Sequence, residues 1–266
     1  MALSEEARAR LEPQAAEIIA RYPKVRSALL PLLHLVQSEE GYVSQDGIEF
    51  CARQLGLTEA DVTGVVSFYT MYKRKPIGEY HVGVCTTALC AVMGGDAILA
   101  DLKDHLGVEV DEPTADGKVS VEHVECNAAC DYAPVVMVNW EFFDNMTPQS
   151  ARDLVDRLRT GADVKPTRGA PRLCTWKQAS KILAGFADGQ AAEGHTAGEP
   201  SLAGLRIAKQ LGWRPGGGGA ASSSAASSSA ANSSAASSSA ASSSAASSSA
   251  ANGGGAQSTR PAEGQQ

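Results

Sequence analysis

The sequence predicts an α/β (α+β) protein with a small helical bundle at one end and a low-complexity tail at the other. From residue 4 to about 72, apolar residues recur at the spacing of a helix face. After residue 76, alternating apolar stretches typical of strands are interleaved with amphipathic helices. From residue 216 onward, Ala/Ser pentads lie between glycine runs. We therefore expect a bundle at 1–75, an α/β domain at 76–162, a surface extension at 163–215 and a disordered tail at 216–266.

The N-terminal region has start signals for four helices. Ser4 precedes two glutamates, an arrangement that caps the first helix and places negative charge at its positive end. The second helix has to hold Pro31 in its first turn and to end at Gly41. Ser44 begins the third helix, and the capping box of Thr58 and Asp61 begins the fourth. Four short helices with short links predict a small bundle.

The central region alternates strands with helices. "GEYHVGVCT" predicts a strand that ends at Cys85, "KVSVEHVEC" a second that ends at Cys126, and "PVVMVNWEFFDN" a third. "GDAILADLKDHLG" predicts an amphipathic helix closed by Gly107, and "TPQSARDLVDRLRTG" a helix closed by Gly161. Two short helical stretches near 175–186 and 201–211 follow in the extension.

Composition and charge exclude several classes of protein. The formal net charge is −7 with both signs interspersed, so we expect no nucleic-acid groove and no membrane-surface patch. The first residues lack the basic and apolar build of a signal peptide. The longest apolar run, residues 29–36, is too short to insert into a bilayer. The pentads of the tail have no large apolar side chain to bury. We expect a cytoplasmic protein.

Four of the six cysteines form two closely spaced pairs. Cys85 and Cys90 form C-x4-C, and after 35 intervening residues Cys126 and Cys130 form C-x3-C. Each pair comes just after a predicted strand. Because loops at neighbouring strand ends converge, the four thiols can meet at one place. In a reducing compartment, such cysteines are more often metal ligands or catalysts than disulfides.

The spacing discriminates among the sites that four thiols can form. A thiol–disulfide oxidoreductase carries C-x2-C at a helix start, and structural zinc usually takes at least one C-x2-C. Neither pair has this spacing. A [2Fe–2S] cluster needs two thiolates for each iron, and C-x4-C occurs in plant-type ferredoxins. The residues between the cysteines are small, so backbone N–H groups can approach the sulfurs. A [2Fe–2S] cluster is the favoured prediction, and zinc is the weaker alternative.

Four stretches carry a resemblance to one family: "GYVS" at 41–44, "GVVSFYTMY" at 64–72, "VCTTALC" at 84–90 and "VECNAACDYAPVVMVN" at 124–139. In this order and spacing the chain resembles the [2Fe–2S] E subunit of respiratory complex I (NADH:quinone oxidoreductase), over about residues 4–162. The family's second loop commonly has the sequence C-L-G-A-C, whereas this chain has Asn127 and Ala128 in place of Leu and Gly. Both cysteines are kept, but because Leu and Gly are absent we expect altered packing of the loop and an altered cluster potential.

The resemblance implies a fold and a function. The fold is an N-terminal helical bundle followed by a thioredoxin-like [2Fe–2S] ferredoxin domain, in agreement with the elements predicted above. The function is electron transfer through one [2Fe–2S] cluster, held by Cys85, Cys90, Cys126 and Cys130, with no catalytic acid or base. The partner is the flavoprotein subunit that binds FMN and NADH, within the peripheral arm at the cytoplasmic face of the membrane. The cluster would be a side store for an electron.

Other functions stay open at this level. A similar subunit occurs in NAD-linked hydrogenases and formate dehydrogenases, and a zinc-stabilised binding module belongs to a different class altogether. The chain has no G-x-G-x-x-G phosphate loop, so we expect NADH and flavin to bind elsewhere.

The remaining candidate residues have simpler interpretations. We expect Cys51 to be a core residue and Cys174 a buried or half-buried free thiol. Phe68, Tyr69 and Tyr72 are predicted core or interface aromatics. His123, three residues before Cys126, is predicted to be an ordinary strand residue, because four cysteines already fill the site.

Overall fold

The computed structural model of the chain describes residues 3–189 and 196–214. All described residues fall in one compact unit. The predicted disordered tail at 216–266 lies outside the described residues, and the four segment boundaries given above stay predictions.

The first region is a helical bundle whose start signals act as the sequence predicts. Ser4 Oγ accepts the N–H of Ala7 at 3.1 Å, and Ser44 Oγ accepts the N–H of Gly47 at 3.0 Å. The capping box of Thr58 and Asp61 is formed in both directions. The elements are α1 (Glu5–Ala20), a short 3-10 helix (Val25–Ala28), α2 (Leu29–Glu40), α3 (Gln45–Leu55) and α4 (Glu59–Phe68).

The bundle encloses a core that contains Cys51, which has no exposed surface, as predicted. Tyr72 is also a core residue, because it is 6% exposed and its hydroxyl donates to the Leu30 carbonyl at 2.9 Å. Phe68 and Tyr69 are exposed at the end of α4, by 77% and 45%. The three aromatics predicted as one group therefore divide between the core and the surface.

The second region is built on a four-stranded sheet in the order β2-β1-β3-β4. Strands β1 and β2 run parallel, whereas β3 pairs antiparallel with both β1 and β4. The elements are β1 (Tyr80–Cys85), α5 (Ala88–Val92), α6 (Gly95–Leu106), β2 (Val119–Val124), β3 (Val136–Val138), β4 (Glu141–Phe143) and α7 (Pro148–Arg159). A parallel pair needs a long crossover connection, and α6 lies in it.

The register of the parallel pair fixes the position of the cysteine loops. Cys85, the last residue of β1, lies opposite Val124, the last residue of β2. The loops that follow the two strands therefore leave the same edge of the sheet. Beneath them, side chains of α6 and α7 such as Ile98, Leu102 and Val155 form a buried cluster with the strand valines. This core holds both loop origins on a rigid base.

Two local predictions need correction, and one short helix was not predicted. The stretch predicted as a third strand is a hairpin, β3 and β4, because Asn139 (φ +48°) and Trp140 (φ +76°) turn the chain. The Asn139 amide stabilises this turn by accepting from the N–H of His81 at 2.8 Å and donating to the Cys174 carbonyl at 2.8 Å. The second strand ends at Val124 instead of Cys126. The short helix α5, which the sequence did not predict, holds Cys90.

The region after α7 contains the two predicted helices, α8 (Trp176–Leu183) and α9 (Glu199–Gln210). Trp176 is 1% exposed, and its indole N–H donates to the Gly41 carbonyl at 2.8 Å. Ser180 is also buried, beside Gln37 of α2. The helix α8 is thus more deeply buried than a surface extension implies, whereas no residue of α9 is buried. In the described ranges, no helix combines the length and the apolar character that crossing a membrane requires.

Candidate metal centre

The inner cysteine pair is buried at the carboxyl end of β1. Cys85 is 1% exposed, and its N–H donates to the Val135 carbonyl at 3.1 Å. Cys90 is 2% exposed and lies on α5, where its N–H donates to the Thr87 carbonyl at 2.9 Å. The Cys85 thiol is near enough to Cys90 to raise its pKa. Strand β1 and helix α5 thus place this pair side by side.

The outer pair lies on the exposed loop that follows β2. The Sγ atoms of Cys126 and Cys130 are 3.6 Å apart, and both residues are exposed. The backbone N–H of Ala128 donates to Cys126 Sγ at 3.4 Å, so the loop curls around that sulfur. Ala128 adopts φ +53°, the left-handed region that favours glycine. The three residues between the two cysteines therefore bring their sulfurs together on one side.

The two pairs lie near enough to influence each other's electrostatics. Cys130 interacts electrostatically with both Cys85 and Cys90. Burial is the main cause that raises the pKa of the Cys90 thiol to about 11; the Val135 backbone opposes this rise, and the neighbouring Cys85 thiol contributes to it. The hydrogen bond shared with Cys126 raises the pKa of Cys130. Because thiolates are the ligands that metals bind, these thiols must release protons when a metal centre forms.

A glycine lets α6 approach the inner pair. A Cβ atom at Gly95 would overlap the carbonyl oxygen of Cys85 and would lie 2.9 Å from that of Cys90. The first residue of α6 is thus packed against the backbone of both cysteines. The paired glycines of "VMGGD" are the local signal for this close approach, which the predicted helix alone does not indicate.

Arg168 supports the outer loop from the far side. Its guanidinium carbon lies 4.0 Å from the centre of the Phe142 ring and 4.9 Å from that of Tyr132, two residues after Cys130. The guanidinium also donates to both oxygens of Asp144, at 2.9 and 3.2 Å. The loop is therefore held by a cation stacked between two rings and fixed by an ion pair. Sequence reasoning missed this role, because no pattern connects Arg168 with Tyr132.

The donor set fits a [2Fe–2S] cluster. Four soft thiol ligands are divided into two pairs, and a cluster of this type takes two thiolates on each iron. Backbone N–H groups of Ala128 and Val135 point at sulfurs of both pairs, and such donors stabilise the negative charge of a cluster.

The other candidate residues lie apart from these four. His123 is an exposed residue of β2, as predicted. Cys174 is half-buried, also as predicted, and burial raises the pKa of its thiol.

Comparisons with known proteins assign the chain to a family. Residues 15–159 match the family "Thioredoxin-like [2Fe-2S] ferredoxin". The E subunit of NADH-quinone oxidoreductase from Mycobacterium bovis is 64% identical over 203 residues, which are 76% of this chain and 80% of the relative. NADH dehydrogenase [ubiquinone] flavoprotein 2, mitochondrial, of Dictyostelium discoideum is 38% identical over 159 residues, covering 59% and 63% of the two chains.

A solved structure is similar at a lower level. The NAD+-reducing [NiFe]-hydrogenase in its air-oxidized state contains a chain that is 18% identical, with a TM-score of 0.45 over 50% of this chain and 23% of that one. The match of residues 15–159 to the family and the 64% identity over most of the chain are decisive. This chain belongs to the thioredoxin-like [2Fe-2S] ferredoxin family.

Proposed function

We propose that the chain is the electron-transfer subunit of an NADH:quinone oxidoreductase and that Cys85, Cys90, Cys126 and Cys130 hold its [2Fe–2S] cluster. The observation that carries the ligand assignment is the parallel register of β1 and β2, which brings two cysteine pairs to one sheet edge. The 64% identity to the E subunit of a bacterial NADH-quinone oxidoreductase supports the parent enzyme.

The residues of the chain position and tune the centre without acid–base chemistry. A bound cluster of this type accepts and returns one electron, and its negative charge grows with each electron accepted. The buried pair, Cys85 and Cys90, anchors one side within the fold, and the exposed pair keeps the other side near the surface. Backbone donors at Ala128 and Val135 favour the more negative state.

The surface beside the inner pair suits a protein partner. Leu89, Val92 and Met93 surround Cys90 in sequence and are 44%, 86% and 54% exposed. Clustered exposed apolar side chains mark interaction sites. We assign this surface, with the exposed outer loop, to the flavoprotein subunit that carries FMN and NADH. Assembly with that subunit places the chain in the peripheral arm, at the cytoplasmic face of the membrane.

Other parent enzymes give different expectations. If the chain served an NAD-linked hydrogenase or a formate dehydrogenase, its gene would lie among the genes of that enzyme. If it were a zinc-stabilised binding module, the purified protein would have no visible absorption, because zinc sites are colourless. The gene neighbourhood and a visible spectrum therefore separate the three assignments.

The direct test is reconstitution with the flavoprotein subunit. We expect the two chains to co-elute from a size-exclusion column and to reduce a dye with NADH. The chain alone should bind neither FMN nor NADH and should oxidise no NADH. A Val92→Asp variant puts charge on the proposed contact surface and should weaken co-elution, whereas Val25→Asp, at an exposed valine of the bundle, should leave it unchanged. NADH oxidation by the chain on its own would refute the proposal.

A further inference from the structure

The loop between the outer cysteines contains a buried hydrogen-bond donor with no acceptor. Asn127 directly follows Cys126, and its side chain is half-buried. The Nδ2 atom is nevertheless shielded from solvent and has no hydrogen-bond partner. A buried polar group left in this way costs about 1–3 kcal/mol. Such groups in native proteins usually point to an absent partner, such as an ion, a water molecule or a cofactor.

Asn127 lies in the turn that joins the two outer cysteines. The N–H of Ala128 bonds to Cys126 Sγ at 3.4 Å, and Cys130 Sγ lies 3.6 Å from Cys126 Sγ. Asn127 therefore lies within a turn that is closed on two sulfur atoms. The buried side chains clustered around these loops are Cys85, Cys90, Ala129, Ala133 and Val135. Among them, the sulfurs are the polar atoms that can accept a hydrogen bond.

We propose that the Asn127 side-chain amide donates a hydrogen bond to the cluster, at a sulfide or at a thiolate of the outer pair, and thereby raises its reduction potential. This inference rests on the proposed function, because it needs a cluster at the four cysteines. A donor stabilises the reduced state more than the oxidised state, since the reduced cluster carries one more negative charge. The leucine of the common C-L-G-A-C loop has no such donor. Asn127 can therefore raise the reduction potential of the cluster by a hydrogen bond that a leucine at this position cannot donate.

A redox titration of the full-length chain, monitored by EPR, tests the proposal with two variants. In Asn127→Leu, which removes the donor at similar size, the equilibrium constant for reduction should fall about tenfold, or about 59 mV for a one-electron couple. Asn127→Asp keeps the shape but replaces the donor with a negative charge, so its constant should fall further. Gln149→Leu is the control, because it replaces an exposed amide side chain of α7 with leucine outside the cysteine loops.

A second measurement reports the hydrogen bond itself. ENDOR of the reduced cluster, before and after exchange into D2O, should show a coupled exchangeable proton that is lost in Asn127→Leu and kept in Gln149→Leu. If the Asn127→Leu variant does not retain the cluster, the reduction potential and proton coupling of the isosteric Asn127→Asp variant test the proposal instead. Unchanged potential and proton coupling in a variant that holds the cluster would overturn the inference and leave the proposed function intact. A wild-type chain with no cluster would overturn both.

Discussion

Replacing Arg168 with alanine should loosen the outer cysteine loop and destabilise the fold. The side chains of Arg168 and Asp144 are 14% and 7% exposed, so their ion pair is largely removed from water. Removing one partner of a buried pair leaves an uncompensated charge, which costs about 3–5 kcal/mol. Loss of the stacking on Tyr132 and Phe142 adds about 1 kcal/mol, while partial exposure of Arg168 reduces the first contribution. We expect a net loss of about 4 kcal/mol.

Denaturant unfolding of the full chain measures this loss, and iron content after gel filtration measures retention of the cluster. Arg168→Lys keeps the charge but loses the two-pronged contact with Asp144, so its loss should be about 2 kcal/mol. Arg172→Ala, at an exposed arginine nearby, is the matched control and should have little effect. A loss below about 1 kcal/mol in Arg168→Ala, comparable to that of a surface pair, together with normal iron retention, would refute this reasoning.

Two further predictions concern the core around the site and the bundle. Gly95→Ala places a Cβ against the backbone of both inner cysteines, where no flexible side chain can yield, so it should lower the free energy of unfolding by about 1–3 kcal/mol and reduce cluster occupancy. Gly64→Ala, where the new Cβ meets open space, is the control. Equal iron content in the two variants would contradict the prediction. Burial lowers the pKa of His34 from its ordinary 6.5 to about 4. Between these two pH values the unfolded chain binds a proton at this residue more readily than the folded chain does. The free energy of unfolding should therefore fall by up to about 3 kcal/mol as the pH is lowered from about 6.5 to 4. His34→Leu should flatten this part of the curve of unfolding free energy against pH. An unchanged slope would show that His34 is not the group responsible for the pH dependence.

The architecture could be predicted from the sequence wherever a local signal determines the structure. The caps at Ser4, Ser44 and Thr58 depend on residues within three positions of one another, and all three are formed. The convergence of the cysteine loops required only that two neighbouring strands be parallel, which the helix between them predicts. The family resemblance and the fold it implies are confirmed by the match to thioredoxin-like [2Fe-2S] ferredoxins.

The errors arise where contacts distant in sequence decide the local structure. The turn at Asn139 and Trp140 lacks the Asn-Gly signal of a hairpin, and hydrogen bonds to His81 and Cys174 stabilise it instead. Trp176 is buried among residues distant in sequence, and its indole N–H donates to the Gly41 carbonyl, 135 positions away. Likewise, the orphaned amide of Asn127 became visible only once the loop had a defined geometry. No pattern in the neighbouring residues reports such contacts.

The account depends most on the four ligands, and the outer pair offers the cleanest test. Cys126 and Cys130 are exposed, so alanine at either position leaves the core intact. Iron and acid-labile sulfide analysis of the full chain should find two of each in the wild type and in the controls Cys51→Ala and Cys174→Ala. The native cluster should be lost in Cys126→Ala, in Cys130→Ala and in the corresponding variants of Cys85 and Cys90. A native visible spectrum with full iron content in Cys126→Ala would contradict the central claim.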